Sequence, residues 1–413
     1  MTTVEMQDLL FKCSKVFSPA TPISTRDLFA GRTEQIQQVG RAVHTRGQHA
    51  VIFGERGVGK TSLANVLKFL LADQETLVVK TNCHHDDSYH KVWHNALSEI
   101  SIEEEVMVGL NRSPTIKARN PVDSIDGDSG PDDIRRVLQG IGKIKDTVII
   151  FDEFDRLQGN KAQRLFADTI KNISDNSVNT TFVIVGVAND VNGLIKEHAS
   201  IDRSLVQIKM PRMEPNELKE IVNKAMQELG TSIEDGATEL IVMLSQGLPH
   251  YTHLIGQEST VTAIRADRKL ITVEDVKGGV NAALNNTQHS ILDAYQKATV
   301  GQRKGTLFKQ VLLACAIAEV DEQGYFVSAA VRDPLTKIMK KLYEIPGFSQ
   351  HLDKFSSDTT RGPVLERAGT SRRFRFRFIN PLLQPYVIMR GLSEGILQGD
   401  VLDLLQQKQQ GAY

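Results

Sequence analysis

Residues 51–67 read Val-Ile-Phe-Gly-Glu-Arg-Gly-Val-Gly-Lys-Thr-Ser-Leu-Ala-Asn-Val-Leu. The stretch opens with the apolar run Val51–Phe53, which predicts a buried strand. Residues Gly54–Thr61 then match the pattern G-x-x-x-x-G-K-[ST] at every fixed position. Apolar residues at helical spacing follow, namely Leu63, Val66, Leu67, Leu70 and Leu71. A strand, a glycine loop and a helix in this order form the context in which the motif has chemical meaning.

The glycine loop predicts a phosphate-binding site. Gly54, Gly57 and Gly59 let the backbone curl so that successive N–H groups point at phosphate oxygens, beside the positive end of the following helix. Lys60 is expected to reach the β- and γ-phosphates, and the Thr61 hydroxyl is expected to bind Mg²⁺. The expected contacts from the loop are Gly54, Glu55, Arg56, Gly57, Val58, Gly59, Lys60, Thr61 and Ser62.

A second buried strand supplies two acids. The apolar run Thr147–Phe151 is typical of a central parallel strand, which helices cover on both faces. Asp152 and Glu153 follow at its carboxyl end, the edge at which ligands bind in open α/β sheets. Asp152 is expected to hold Mg²⁺, and Glu153 is expected to polarise the water that attacks the γ-phosphate.

Two further polar residues follow predicted strands. Asn189 ends the apolar run Thr180–Ala188 and is a candidate for orienting the attacking water; the alternative is an ordinary turn asparagine. Arg203 precedes the last short strand of this region and is a candidate arginine finger for a neighbouring subunit. Its alternative is a surface salt bridge, and Arg212 is a weaker candidate for the same role.

The rest of the chain divides into a helical region and a basic C-terminal region. Helix signals recur through residues 214–285, which predicts an all-α lid, whereas the polar stretch 112–133 predicts a surface insertion. Helices followed by a hairpin in residues 286–395 suggest a winged helix. The strand that ends this hairpin alternates arginine and phenylalanine, and its candidate DNA contacts are Arg372, Arg373, Arg375 and Arg377. The alternative is that these arginines face solvent or another part of the protein.

The predicted fold class is α/β: a P-loop NTPase parallel sheet, then the lid and the winged helix. The predicted boundaries are 1–25 for a helix and linker, 26–212 for the sheet domain, 213–285 for the lid, 286–395 for the winged helix and 396–413 for a polar tail.

Composition excludes several protein classes. The 413 residues are 40% hydrophobic and 24% charged with a net charge of −1, so nucleic acid would have to bind through a local patch. Three widely separated cysteines form neither a disulfide framework nor a zinc pattern, which fits a reducing, cytoplasmic setting. Neither a signal peptide nor a stretch long enough to span a bilayer is apparent.

These motifs in this order resemble the AAA+ superfamily, in particular initiator ATPases of the origin-recognition and replication-licensing type and the related STAND-like prokaryotic ATPases. The resemblance adds the element Phe29–Arg32, in which Phe29, Gly31 and Arg32 would lie near the adenine of ATP. It also implies that Asn189 acts as sensor 1, that Arg203 acts in trans, and that the chain oligomerises with ATP.

One element departs from the initiator pattern. Initiators carry a sensor-2 arginine in a Gly-Asp-x-Arg element, and the matching stretch here is Gly247-Leu248-Pro249-His250. This Gly-x-Pro form is more similar to STAND ATPases, and the resemblance implies that Pro249 and His250 contact the nucleotide.

Two functions follow from these observations. The first is an ATP-hydrolysing switch, a slow regulatory ATPase, that binds DNA through the winged helix. The second is a STAND-like scaffold that recruits a protein effector, for example in phage defence. Binding of DNA that falls steeply with salt would favour the first.

Overall fold

The computed structural model of the chain describes residues 2–19, 21–22, 29–73, 75–108, 113–157, 160–188, 190–195, 201–300, 306–321, 323–370 and 373–411. The chain forms two compact units. The sheet unit comprises residues 22–55 and 59–211, and the helical unit comprises residues 1–21, 56–58 and 212–413.

The regular elements are numbered along the chain. The helices are α1 Thr3–Val16, α2 Thr33–His44, α3 Lys60–Leu70, α4 Tyr89–Ser98, α5 Pro131–Ile141, α6 Asn160–Asp175, α7 Pro215–Leu229, α8 Asp235–Ser245, α9 Pro249–Arg265, α10 Val273–Asn285, α11 His289–Thr299, α12 Phe308–Ile317, α13 Ser328–Met339, α14 Ser349–Ser357, α15 Leu383–Ser393 and α16 Asp400–Gly411. The strands are β1 His49–Gly54, β2 Thr76–Asn82, β3 Ile102–Val108, β4 Ser113–Arg119, β5 Asp146–Asp152, β6 Thr180–Val187, β7 Leu205–Lys209, β8 Ser232–Ile233, β9 Leu270–Ile271, β10 Phe326–Val327, β11 Leu365–Ala368 and β12 Arg375–Phe378.

A five-stranded parallel sheet organises the sheet unit, with the strand order β2-β5-β6-β1-β7. The strands β1 and β5 are buried almost throughout, as their apolar runs predict for a sheet covered on both faces. The parallel α/β sheet is therefore confirmed. The register pairs Asn82 at the end of β2 with Asp152 at the end of β5.

An aromatic cluster fills one side of this sheet. Trp93 of α4 contacts Phe151 of β5, Phe166 of α6 and Phe182 of β6, with ring centroids 5.3 to 5.7 Å apart. Each of these four side chains has no solvent exposure. Edge-to-face and stacked contacts between large rings add to the burial of apolar area, so the cluster fixes the strand that carries Asp152.

The stretch 112–133 contains more regular structure than its composition predicts. Strand β4 pairs with β3 as an antiparallel hairpin, and helix α5 begins at Pro131 with the Gly130 N–H donating to Asp133. Backbone pairing and this cap stabilise segments whose polar side chains suggested an irregular loop.

The helical unit contains helices α7 to α10, followed by a smaller mixed region. Helix α1 carries a capping box between Thr2 and Glu5, which confirms the helix predicted near the N-terminus. The elements α12, β10, α13, α14, β11 and β12 follow in that order along the chain, and their strands form an antiparallel sheet in the order β10-β12-β11. Within the described residues, no helix is long and apolar enough to cross a membrane.

Candidate functional site

The glycine loop joins β1 to α3, and each of its three glycines has a physical reason. A Cβ on Gly54 would lie 2.4 Å from the Met210 carbonyl oxygen, so a side chain there would collide with backbone. Gly57 and Gly59 have φ values of 92° and 95°, a region that glycine adopts without strain. The predicted strand, loop and helix are therefore confirmed.

Lys60 begins α3 and lies across the loop. Its Nζ donates hydrogen bonds to the carbonyl oxygens of Gly54 at 2.9 Å and Glu55 at 2.8 Å. The side chain is only 8% exposed, so its positive charge lies against the loop and is little screened by solvent. An ammonium in this position can contact a phosphate that the loop encloses. The other predicted loop contacts have different exposure: Val58 is buried, Glu55 and Ser62 are half-buried, and Arg56 is exposed.

Thr61 and Asp152 lie next to each other. The Thr61 hydroxyl is 3.4 Å from Asp152 Oδ1, and the Asp152 side chain is almost completely buried. A hydroxyl and a carboxylate are oxygen ligands of the kind that Mg²⁺ prefers. The residues present therefore fit the metal that the sequence predicts.

Glu153 has a left-handed backbone conformation, with φ 57° and ψ 34°. Its N–H donates to Asp152 Oδ1 at 2.9 Å, which holds the two acids together as the strand ends. Its carboxylate forms an ion pair with Arg156, Nη2 to Oε1 2.9 Å. Glu153 is half-buried, so water can reach the group that is predicted to polarise it.

Three residues of this region are not singled out by the sequence patterns. Lys80 lies 2.9 Å from Asp152 Oδ2, and Asp155 accepts a hydrogen bond from the Val187 N–H at the end of β6. Arg156 is the partner of Glu153. Asp155 and Arg156 stand within four residues of Asp152, and this proximity was the available signal. Lys80 became identifiable only through the pairing of β2 with β5. Asn189 lies outside the described residues.

The Phe29–Arg32 element leads into α2. Gly31 and Arg32 both have positive φ, 65° and 63°, and Phe29 is half-buried. The Arg32 side chain is 3% exposed and its Nη2 donates to the Pro211 carbonyl oxygen at 2.7 Å. This contact secures the entry to α2 within the sheet unit.

Arg203 lies in a short 3₁₀ helix just before β7. Its guanidinium is 3.4 Å from Asp175 Oδ1, and its side chain is 83% exposed. An exposed pair at this distance contributes little to stability. The Arg203 side chain is therefore exposed on the sheet unit and is held only by a weak ion pair.

Pro249 and His250 begin α9 in the helical unit. Pro249 occupies the first helical position, where the missing N–H has no consequence. His250 Nδ1 donates to the Pro19 carbonyl oxygen at 2.9 Å, and burial lowers the pKa of the imidazole. Arg212, the weaker finger candidate, donates to Gln246 and Gln384 in the same unit.

The predicted basic hairpin is present, and Arg375 and Arg377 pair with acids. Phe376 and Phe378 are buried while Arg375 is exposed, so the predicted alternation is confirmed. Arg375 Nη1 lies 2.9 Å from Asp321 Oδ2, and Arg377 Nη2 lies 2.6 Å from Glu366 Oε2. Both guanidinium groups also lie over the Tyr325 ring, at 4.9 and 4.6 Å from its centroid. Arg373 is exposed, and Arg372 lies outside the described residues.

The sheet unit thus brings together Lys60, Thr61, Asp152 and Glu153. A glycine loop after β1, with acids at the end of β5 and one strand between them, defines a P-loop NTPase. The chain belongs to the Novel STAND NTPase 1 family, whose model matches residues 22–334. No curated protein has a sequence that matches this chain.

Among the solved structures with a similar fold are two ATP-site proteins of archaea that align over almost their whole length. A Walker-type ATPase of Pyrococcus abyssi is 14% identical, covers 90% of this chain and 99% of its own, and has a TM-score of 0.52. The ORC2 protein of Aeropyrum pernix, solved in ADPNP–ADP complexes, is 12% identical, covers 96% of this chain and 98% of its own, and has a TM-score of 0.51. The expected resemblance to origin-recognition and STAND-like ATPases is therefore confirmed at the level of fold and family.

Proposed function

We propose that this protein is a regulatory ATPase that binds ATP with Mg²⁺ on the glycine loop and hydrolyses it slowly. The observation that carries the proposal is the proximity of Thr61 to Asp152, with Glu153 immediately after the acid. A lysine, a hydroxyl and two acids in this arrangement match the needs of phosphoryl transfer to water.

Each residue has a role in this proposal. Lys60 and the loop N–H groups bind the phosphates and balance the charge that develops on the γ-phosphate. Bound Mg²⁺, held by Thr61 and Asp152, would supply electrostatic stabilisation of the phosphate oxygens. Glu153 accepts a proton from the attacking water. Asn189 orients that water, and the Phe29–Arg32 element lies near the adenine.

We propose further that ATP drives assembly of several copies, with Arg203 as the finger that completes a neighbouring site. The support is its 83% exposure next to a weak ion pair, because a finger must be able to leave its own subunit. Pro249 and His250 report the nucleotide state through the lid. Burial lowers the pKa of His250, which favours the neutral ring, and because Nδ1 donates to Pro19 the free Nε2 would act as a hydrogen-bond acceptor.

The C-terminal region is proposed to be a winged helix that delivers the output. The order helix, strand, helix, helix, hairpin supports this assignment. The ion pairs of Arg375 and Arg377 neutralise positive charge that would otherwise attract DNA phosphates. This favours a protein effector as the partner, as in a STAND-type defence switch. Exposed Arg373 keeps DNA as the second candidate. Three free, buried cysteines support a cytoplasmic location.

Nucleotide binding is tested with a fluorescent ATP analogue. Lys60→Ala is expected to weaken binding at least about tenfold, whereas Lys68→Ala, an exposed lysine on the same helix, should bind like the wild type. Equal binding by all three proteins would contradict the proposal.

Assembly is tested by light scattering at increasing protein concentration, with and without ATP. Arg203→Ala should leave ATP binding intact while lowering turnover.

The two outputs are separated by titrating duplex DNA at several salt concentrations. If the partner is a protein effector, duplex DNA should bind only weakly, and its affinity should depend little on salt. Tight DNA binding that depends steeply on salt and is lost in Arg373→Ala would contradict the effector proposal and support DNA as the partner.

A further inference from the structure

The buried acid of the site has a resident cation beside it. Lys80 of β2 places its Nζ 2.9 Å from Asp152 Oδ2, and the two side chains are 12% and 2% exposed. The other Asp152 oxygen, Oδ1, accepts from the Glu153 N–H and lies next to the Thr61 hydroxyl. The two carboxylate oxygens therefore have different partners, one of them a positive charge.

This cation is an ionic partner of Asp152. Within the described part of the chain, no well-aligned hydrogen bond reaches Oδ2, so the ammonium balances its charge. A carboxylate with almost no solvent access needs such a partner, because isolated buried charges are costly. Lys80 therefore supplies the charge balance that a divalent cation would otherwise supply at the same acid.

Lys80 also has a second acceptor and room to move. Its Nζ donates to Asn82 Oδ1 at 2.9 Å, on the same strand. The side chain lines a cleft of about 490 Å³ between α3, β2 and α4, whose wall includes Asn82 and His84. An ammonium that leaves Asp152 can thus remain bonded to Asn82 or extend into the cleft.

We propose that Lys80 is the counter-ion of Asp152 in the metal-free site and that Mg²⁺ must displace it. Lys80 thereby sets how strongly nucleotide binding depends on Mg²⁺. It is a positioning residue, since it acts through Asp152. The inference rests on the proposed ATP site and adds a residue that determines its metal requirement.

The test compares the affinity for a fluorescent, non-hydrolysable ATP analogue in excess Mg²⁺ with the affinity in EDTA. The dissociation constant in EDTA divided by that in Mg²⁺ measures how strongly the metal promotes nucleotide binding. General losses of nucleotide affinity change both constants alike and cancel in this ratio. Lys80→Met is expected to raise this ratio by about tenfold, because a positive charge near the metal site is removed. Lys80→Arg should keep the wild-type ratio, and Lys68→Met, on the wall of the same cleft, should not change it.

A ratio that stays constant or falls in Lys80→Met would overturn the proposal. Absence of analogue binding by the wild-type protein, in Mg²⁺ and in EDTA alike, would instead contradict the ATP site itself. The two failures are therefore distinguishable.

A measurement on the wild-type protein covers the case in which Lys80→Met does not fold. Reductive methylation followed by mass spectrometry gives the reactivity of Lys80 relative to Lys68. The reactivity of Lys80 should rise several-fold when Mg²⁺ is added to the analogue complex in place of EDTA. Unchanged reactivity would show that the ammonium stays on Asp152 and would overturn the displacement.

Discussion

Arg156 lies one turn after Glu153 and forms an ion pair with it, Nη2 to Oε1 2.9 Å. The predicted general base is thus held by a cation of its own segment. The pair engages one of the two carboxylate oxygens and restrains the side chain that must reach the attacking water. We therefore predict that loss of this pair frees Glu153 for the reaction.

Arg156→Gln is expected to raise ATP turnover by about two- to fivefold, since the pair is partly exposed and its attraction is modest. ATP affinity should be unchanged, because Arg156 does not belong to the predicted phosphate contacts. Steady-state kinetics measures both quantities. Arg135→Gln, which removes a comparable surface ion pair with Asp132, is the control. A fall in turnover would mean that Arg156 assists the reaction.

His49 predicts a stability loss in acid. Its Nδ1 accepts from the Phe182 N–H, its Nε2 lies 3.0 Å from Ser174 Oγ, and burial lowers the pKa of the imidazole to about 3. An unfolded chain binds the proton near pH 6.5 while the folded chain does not, so stability falls as the pH drops below that value.

The expected loss from His49 is about 2 kcal/mol between pH 7 and pH 5. Urea unfolding at the two pH values measures it. His49→Gln should reduce the difference, whereas His85→Gln, which is exposed, should leave it unchanged. A sheet unit equally stable at both pH values would contradict this account.

Gly54→Ala is expected to destabilise the sheet unit by about 1–3 kcal/mol, because the new Cβ would meet the Met210 carbonyl oxygen. Gly127→Ala is the control, since a Cβ there has no neighbour within 4 Å among the described residues. Thermal unfolding compares the two variants. Equal melting temperatures would show that β1 and the Met210 segment can separate without cost.

Arg375 and Arg377 are predicted to stabilise the C-terminal region rather than to bind DNA. The double variant Arg375→Ala with Arg377→Ala removes two ion pairs and two ring contacts, so the helical unit should lose about 1–2 kcal/mol of stability. Duplex DNA affinity should change little. A large loss of DNA affinity with intact folding would show that these side chains contact phosphates despite their acidic neighbours.

The sheet and its central site were predictable because their signals are local. A glycine loop, an apolar strand and two acids are contiguous in sequence, and parallel pairing brings their carboxyl ends to one edge. Lys80 was not predictable, because its role depends on which strand lies beside β5 and on the register that pairs Asn82 with Asp152. The same limit applied to Arg375 and Arg377, whose partners Asp321 and Glu366 come from other segments. Alternation identified the face of the strand, but it could not identify what covers that face.

The central claim is that Glu153 activates water for ATP bound by Lys60 and Thr61. The most direct measurement compares ATP binding and hydrolysis by the wild-type protein, Glu153→Gln and Lys60→Ala. We expect Glu153→Gln to bind ATP as tightly as the wild type and to lose at least about a hundredfold in turnover, while Lys60→Ala loses binding. Hydrolysis by Glu153→Gln at the wild-type rate would contradict the account, because another group would then have to activate the water.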